Sequence, residues 1–291
     1  MSSSLRKVLI GATLVLLAAC QRPEPVRPAL WQVDGPGGQR AWLFGTIHAL
    51  PRPVDWRSPR IDAALGEADR IVLEVANIDD DRATAQVFAR LAAAPQAAPL
   101  RDRVPPQARA DYARYVEKYG AREDALRGQD TWAAALVLAQ LAQADLGSDS
   151  ANGVDRAVKA AAEGRPVEEF EGADAQLRIF DALPESEQRD LLAMVVQQGS
   201  DPRAEARRLE QAWASGDVGA LTRETQGGLL ADPELRAALL VGRNRGWTAR
   251  LETMLRQGKR PFVAVGAAHL AGPDGLPAML AARGYRVSRV Q

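Results

Sequence analysis

The feature that most constrains this chain is a pattern found near both ends: a short apolar strand, then glycine, two residues and histidine, then a helix and a second strand. The first copy is Arg40–Phe44 followed by Gly45–His48, and the second is Pro261–Val265 followed by Gly266–His269. The chain of 291 residues has two histidines, and both lie in this pattern. Strands that alternate with helices indicate an α/β domain.

Between the two copies, from about residue 79 to residue 257, the periodicity is mainly helical. Thr131–Ala144 is apolar nearly all round, which predicts a buried core helix, and Pro166–Phe170 predicts a short strand. We therefore predict one α/β domain over 30–291, with a central mixed sheet built from two related strand–Gly-x-x-His–helix–strand halves and a large helical insertion in the middle. Chance similarity of the two halves is the alternative.

The start of the chain resembles a bacterial export signal. Two basic residues precede the apolar run Val8–Leu17, which is too short to span a bilayer as a mature helix, and Leu17–Cys20 is similar to a lipobox. We expect a signal peptide over 1–19, lipid on Cys20, and a Pro-rich tether over 20–29. The expected location is the cell envelope, at the outer membrane facing the periplasm. An ordinary signal with a chance cysteine is the alternative.

Charge excludes one class of partner. The chain has 37 basic and 37 acidic residues, so it lacks the positive footprint that nucleic-acid binding requires. The expected partners are a membrane, through the lipid, and a peptide or small-molecule substrate.

Four side chains that suit metal binding or proton transfer lie at the ends of predicted strands. His48, Glu171 and His269 follow their strands, and Glu74 lies near the end of the predicted strand Arg70–Val75. Ligands bind beyond the carboxyl ends of strands in open α/β sheets, so parallel strands would bring these four together. Two imidazoles and two carboxylates suit Zn²⁺, Mn²⁺ or Co²⁺. The alternatives are ordinary loop histidines, a strand end open to solvent at Glu74, and an exposed acidic stretch around Glu171.

Smaller signals surround these residues. We assign Gly45, Thr46 and Gly266 to substrate positioning, because the two glycines, which have no side chain, let the backbone approach a metal or substrate closely. Arg243 and Asn244 lie on the apolar side of a predicted helix over Pro233–Gln257, where a charge requires a partner. Arg243 could clamp Glu74, Glu171 or a substrate carboxylate, or its stem could simply extend along the core to reach water.

The ordered set of motifs resembles the TraB/GumN family, which includes the animal TIKI proteins. The motifs are Gly45–His48, the strand ending at Glu74, Gly153–Asp155, Phe170–Glu171 with Gln176, Arg243–Asn244 with Trp247, and Gly266–Leu270 followed by Gly272 and Gly284–Tyr285. The resemblance covers nearly all of the expected mature chain. It implies a two-halved α/β fold with paired Gly-x-x-His motifs at a metal-dependent peptidase site, typically with Mn²⁺ or Co²⁺. Gly242 departs from the acidic residue often found before the Arg-Asn pair.

The leading hypothesis is a metal-dependent hydrolase, such as a peptidase, in which His48, His269 and Glu74 hold the ion. The catalytic group would comprise a base and charged or polar neighbours: Glu171 as base, Arg243 and Asn244 stabilising negative charge, and Asp155. Asp155 also has a simpler interpretation, as a negative charge favoured at a helix start.

Two other hypotheses remain open. One is a non-catalytic envelope lipoprotein that binds a peptide or protein partner in the same cleft. The other is a metal-free hydrolase that uses histidine as general base, similar to the erythromycin-esterase type of enzyme.

Overall fold

The computed structural model describes residues 24–197 and 202–291. The expected signal peptide at 1–19, the expected lipid site at Cys20 and the first part of the tether lie outside the described residues. The described strands are β1 (Glu24–Pro25), β2 (Leu30–Asp34), β3 (Arg40–Thr46), β4 (Val54–Asp55), β5 (Arg70–Leu73), β6 (Val167–Glu169), β7 (Pro261–Gly266) and β8 (Arg286–Arg289).

The described α-helices are α1 (Pro59–Glu67), α2 (Asp81–Leu91), α3 (Leu100–Arg103), α4 (Arg109–Tyr119), α5 (Glu123–Leu126), α6 (Thr131–Asp145), α7 (Val154–Ala160), α8 (Ala173–Asp181), α9 (Glu185–Val196), α10 (Pro202–Ser215), α11 (Val218–Glu224), α12 (Pro233–Arg236), α13 (Gly242–Arg256) and α14 (Leu276–Ala281). A π-helical turn, Ala237–Val241, joins α12 to α13. Short 3₁₀ turns lie at Pro106–Ala108, Ser150–Asn152, Gly228–Ala231 and Ala267–Leu270.

Six strands form one mixed sheet in the order β6-β5-β7-β3-β2-β8. Neighbours among β6, β5, β7 and β3 pair in parallel, whereas β2 is antiparallel to both β3 and β8. β1 and β4 form a separate parallel pair. The prediction of an α/β fold with a mixed sheet is therefore confirmed. Because four strands run parallel, their carboxyl ends meet at one edge.

The hairpin between β2 and β3 follows from its turn residues. Between Asp34 and Arg40, which face each other in the ladder, Gly38 has a φ of +80°, a conformation that glycine adopts without strain. The Gly35 N–H donates to the Gln39 carbonyl at 2.8 Å and closes the turn. The sequence signal for this hairpin is the turn-rich segment Asp34–Gly38 between two short apolar runs, which is typical of a longer loop rather than a two-residue turn.

Helices cover both faces of the sheet, because successive residues of each strand point to opposite sides. In β3, Trp42 and Phe44 pack in the core that includes residues of α1, α7 and α10. Ala41 and Leu43 pack in the other core, with residues of α13 and α14. β7 is buried along its whole length, as a central parallel strand is when helices cover both faces.

The chain leaves β3 and β7 in opposite directions. From β3 it passes through α1, crosses β7 and reaches β5, whereas from β7 it passes through α14, crosses β3 and β2, and reaches β8. The carboxyl ends of the adjacent strands β3 and β7 therefore form a topological switch point, the place where ligands bind in open α/β sheets.

The helical middle divides into two parts. Helices α7, α10, α11 and α13 pack on the sheet, whereas α2–α6, α8, α9 and α12 surround a separate apolar cluster whose largest fully buried side chain is Trp132. The predicted buried helix is α6, but only its first part is buried throughout: residues 131–135 are buried, whereas Leu141 near its end is 36% exposed.

The predicted helix Pro233–Gln257 is not uniform, because the π-helical turn interrupts it just before Arg243. Across residues 24–197 and 202–291, every helix is too short or too polar to cross a membrane.

Candidate active site

Four side chains expected at the site lie at the edge of the sheet where the parallel strands end. His48 lies two residues beyond β3, Glu74 directly follows β5, Glu171 lies two residues beyond β6, and His269 lies in the turn after β7. The structure brings all four together, and Arg243 forms hydrogen bonds with three of them, Glu74, Glu171 and His269.

Glu74 is the centre of the cluster. Its side chain is 7% exposed, and its Oε1 accepts a hydrogen bond from the Gly266 N–H at 2.8 Å. The Nε2 atoms of His48 and His269 lie 4.0 and 3.9 Å from the same Oε1. Burial alone would raise the pKa of Glu74, but positive charge on the two histidines and Arg243 lowers it to about 2. Glu74 is therefore an anion directed between two imidazoles.

His48 lies at the open side of the cluster. Its Nδ1–H donates to Asp155 Oδ2 at 3.0 Å, and the Val154 N–H donates to the Ile47 carbonyl at 2.9 Å, so the loop is fixed to the start of α7. Its side chain is 60% exposed. Desolvation lowers the pKa of His48, but the hydrogen bond to Asp155 and the charges of Glu74 and Asp155 outweigh this effect and raise the pKa to about 9.

His269 has the opposite environment. Its side chain is 8% exposed, and its ring lies 4.4 Å from the Trp247 ring. Its Nδ1–H donates to Asn244 Oδ1 at 2.7 Å, while the Asn244 amide donates to the carbonyls of His269 and Asp274. Burial lowers the pKa of His269 to about 4, although the charge of Glu74 acts in the other direction. His269 is therefore neutral near pH 7, and its Nε2 carries the lone pair.

Arg243 forms hydrogen bonds with the buried residues of the site. Its Nη1 donates to His269 Nε2 at 3.1 Å, its Nη2 donates to Glu74 Oε2 at 2.6 Å, and its Nη2 and Nε donate to Glu171 at 2.9 and 3.1 Å. Trp247 donates from its indole nitrogen to Glu171 at 2.9 Å, and its ring centre lies 4.6 Å from the guanidinium. The guanidinium thus contacts both carboxylates that the sequence suggested for it.

The π-helical turn gives a structural reason for Gly242. Its N–H donates to the Ala237 carbonyl, five residues back, and a Cβ at position 242 would lie 2.9 Å from that oxygen. Glycine fits this turn without a shift. The turn sits directly before Arg243 and Asn244, and π-helical turns are frequent at functional sites.

The small residues before the two histidines differ in what they contact. A Cβ on Gly266 would lie 3.3 Å from both Glu74 Oε1 and His48 Nε2, so glycine here keeps the centre of the cluster open. Thr46 pairs with Gly266 in the sheet and lines a pocket of about 160 Å³ beside His48. A Cβ on Gly45 would instead lie 3.2 Å from the Ala267 side chain, so Gly45 allows the two site loops to pack closely.

The donor set suits a transition metal in its chemistry. Ligand atoms 2.0–2.2 Å from one ion lie at most about 4.4 Å apart, so Glu74 Oε1 is close enough to share an ion with either Nε2 atom. The two Nε2 atoms, however, lie more than 4.8 Å from each other, so all three residues would bind one ion only after one imidazole shifts. Each imidazole is also held through its other nitrogen, as metal-binding histidines usually are. Arg243, however, occupies His269 Nε2 and Glu74 Oε2.

A tighter acidic set lies elsewhere. Among residues 24–197 and 202–291, Glu187, Asp232 and Glu234 form the one set of three acidic or histidine side chains whose ligand atoms all lie within 4.8 Å of one another. Asp232 caps α12 by accepting from the N–H groups of Glu234 and Leu235. A structural role accounts for Asp232, and exposed acidic groups commonly cluster without an ion.

Three contacts were not expected from the sequence. Gln176 donates to Glu74 Oε2 at 3.3 Å, and Trp247 holds Glu171. Trp247 could have been found from its spacing of four residues after Arg243, which places both on one side of α13. The pairing of Asp155 with His48 has no such signal, because 107 residues separate the two.

Comparison with known proteins finds similarity over most of the chain. A family model described as the TraB/PrgY/gumN family matches residues 29–289. The chain is similar to the "Uncharacterized protein YbaP" of Shigella flexneri and to that of Escherichia coli K12, in each case with 27% identity over 281 residues, covering 94% of this chain and 99% of the relative. No solved structure matches the chain significantly.

Proposed function

The chain belongs to the TraB/PrgY/gumN family, and from that premise we propose that it is a hydrolase, such as a peptidase, whose reactive centre is the His48–Glu74–His269 cluster. One observation carries the proposal: both Nε2 atoms lie within 4.0 Å of Glu74 Oε1, and an acceptor holds the Nδ1 of each ring. Polar groups held this closely in a ligand-binding crevice suit acid–base or metal-assisted chemistry.

We propose that these three residues hold a divalent transition metal, with Mn²⁺ or Co²⁺ favoured by the family resemblance and Zn²⁺ compatible with the donors. Such an ion, when bound, supplies a lowered water pKa and polarises a carbonyl. Glu74 supplies the anionic ligand, and His48 supplies a ligand at the open side. Asp155 and Asn244 orient the two imidazoles.

The remaining residues hold the Arg243 guanidinium beside the reactive centre. Arg243 is held by Glu74 and Glu171, so its guanidinium is fixed beside the reactive centre and can stabilise negative charge that develops on a substrate oxygen. Both oxygens of Glu171 accept from Arg243, and Oε1 also accepts from Trp247. In this proposal Glu171 therefore positions Arg243, a role that its contacts support better than that of a base.

The test compares metal content with turnover. The purified protein and its His48→Ala and His269→Ala variants are measured by elemental analysis and against a broad peptide and ester library. We expect metal and turnover in the parent and a loss of both in each variant. Glu234→Gln, in the separate acidic set, is the matched control and should retain both. The absence of any metal whose binding depends on the histidines would refute the metal proposal.

A second candidate is a metal-free hydrolase, because Arg243 occupies the lone pair of His269 that a metal would need. In this mechanism the deprotonated form of the Asp155–His48 pair acts as general base, so turnover should rise with pH towards about 9, the pKa of His48, and Arg243 stabilises negative charge. Turnover that survives complete removal of metal by a chelator would support this candidate. Ligand binding without turnover, retained in both histidine variants, would instead support a non-catalytic binding protein.

We propose that lipid on Cys20 attaches the protein to the bacterial envelope, at the outer membrane facing the periplasm. The lipobox-like Leu17–Cys20 supports this location. Cys20→Ala should abolish incorporation of labelled palmitate and leave the protein either unprocessed or free in the periplasm. Correctly processed Cys20→Ala protein that stays on the membrane would contradict the proposal.

We further propose that the two Gly-x-x-His units are related halves of one fold. Each begins at a central strand, and their helices, α1 and α14, cover opposite faces of the sheet. If the units are related, residues 40–73 should superpose on residues 261–289 after a rotation of about 180° that exchanges β3 and β7. Failure of the two turns to superpose would leave chance similarity as the explanation.

A further inference from the structure

A small pocket beside the cluster carries polar atoms that the proposed chemistry does not use. It has a volume of about 160 Å³ and lies at the edge of the sheet, on the side covered by α7. Leu73 and Ala264 contribute apolar surface from β5 and β7, and His48 is exposed at its side. The other lining residues are Thr46, Glu74, Val75, Ile78, Asp155 and Gln176.

Thr46 is the first unexplained group. It is 2% exposed, and its Oγ1 has no hydrogen-bond partner among the described residues. Alternation along β3 places its side chain on the same face as Trp42 and Phe44, towards α7. Buried hydroxyl groups are almost always paired, so an unpaired one at a candidate active site calls for an explanation.

Asp155 is the second unexplained group. Its Oδ2 accepts from His48, but its Oδ1 is buried and lacks a partner within the described part of the chain. An ionised carboxylate oxygen can only accept hydrogen bonds. The pocket is therefore lined by two residues that each carry a buried oxygen able to accept from a ligand.

We propose that this pocket binds a compact ammonium group of the substrate, such as the free α-amino terminus of a peptide. An ammonium group has three N–H donors, which suits two unpaired acceptors. Among the described lining residues there are two carboxylates, Glu74 and Asp155, and one imidazolium, His48, so the lining keeps a net negative charge that suits a cation. The small volume excludes a large side chain. That the amine belongs to a substrate rests on the proposed function, whereas binding of the amine does not.

The test uses two small ligands that differ at the amine. Binding of L-alaninamide and of N-acetyl-L-alaninamide to the purified protein is measured by ligand-observed NMR, with and without chelator. The acetyl group removes the positive charge and two donors, so we expect alaninamide to bind at least tenfold more tightly. Equal affinities for the two compounds would overturn the proposal.

Thr46→Val and Thr46→Ser form the matched pair of variants. Valine has nearly the shape of threonine without the hydroxyl, so Thr46→Val should weaken alaninamide binding about tenfold, whereas Thr46→Ser should preserve it. Without ligand, Thr46→Val should melt at the same temperature as the parent or higher, because it removes an unpaired buried hydroxyl. Unchanged affinity in Thr46→Val would overturn the proposal.

The two proposals fail in different ways. Amine-selective binding with no hydrolysis of any peptide or ester would contradict the proposed function and support the amine site. Hydrolysis that does not distinguish free from acetylated amino termini would support the proposed function and contradict the amine site.

Discussion

The turns that carry His48 and His269 follow adjacent parallel strands and share one sequence pattern, but their surroundings differ in almost every respect. His48 is mostly exposed and paired with a carboxylate, and its pKa is about 9. His269 is buried between an amide and an indole ring, and its pKa is about 4. The comparison teaches that the motif sets where each imidazole lies, while the helix behind it, α7 or α13, sets its protonation.

The largest expected effect comes from Arg243, which touches His269 but has no hydrogen bond to His48 in the described residues. Arg243→Met would leave Glu74 and Glu171 buried beside each other without their cation. We expect the free energy of unfolding to fall by about 3–5 kcal/mol in urea denaturation. Arg245→Met, at an exposed position of the same helix, is the control and should change it by less than about 0.5 kcal/mol. A loss below about 1 kcal/mol in Arg243→Met would show that the buried pairing is weak.

The next largest effect distinguishes the two histidines by how much each contributes to the free energy of unfolding. His269→Ala should lower the free energy of unfolding by about 2–3 kcal/mol, because it opens space against Trp247 and leaves the Asn244 oxygen unpaired. His48→Ala, at the exposed side, should cost less than about 1 kcal/mol. Equal losses in the same denaturation series would show that exposure does not distinguish the two sites.

In the metal-free protein, the two imidazoles should make stability depend on pH in opposite directions. His269 binds its proton more weakly when folded, so it makes stability fall as pH drops from about 6.5 to about 4. His48 binds its proton more strongly when folded, so its contribution is complete below about pH 6.5 and is lost as pH rises through about 9. Two-dimensional NMR of the imidazole rings, assigned with the single variants, should show the two pKa values on opposite sides of 6.5.

The smallest effect isolates the role of α7. Asp155→Asn keeps the shape of the side chain and removes its charge, so the pKa of His48 should fall by about 1–2 while that of His269 stays near 4. The same NMR titration measures both rings. An unchanged pKa at His48 would mean that Glu74, rather than Asp155, controls its protonation.

Much of the fold followed from sequence patterns. The paired strand–Gly-x-x-His units, the hairpin before β3 and the buried helix α6 were predictable because apolar periodicity and turn residues act over a few neighbouring positions. The strand ends were less accurate: the strand expected over Arg70–Val75 ends at Leu73, so Glu74 lies just beyond it. The π-helical turn before Arg243 leaves a weak local signal, a single glycine.

The residues that form the site were predictable, but the contacts between them were not. Each of His48, Glu74, Glu171 and His269 follows a strand, and that position alone brings them to one edge. The hydrogen-bond partner of each side chain could not be predicted from the sequence. The pairing of His48 with Asp155 and the use of both Asn244 polar groups behind His269 depend on how distant helices pack against the sheet.

The central position of β7 has a consequence for how the protein matures. β7 lies between β3 and β5 in the sheet, yet almost 190 residues or more separate it from each of them along the chain. Phe262 of β7 pairs with Trp42 of β3 on one side and with Ile71 of β5 on the other. A nascent chain that ends before residue 261 lacks the middle strand of its own sheet and one of the two imidazoles. Native contacts with such long sequence separation slow folding. A ribosome-stalled or truncated form should therefore remain without the assembled site until the last tenth of the chain has been added.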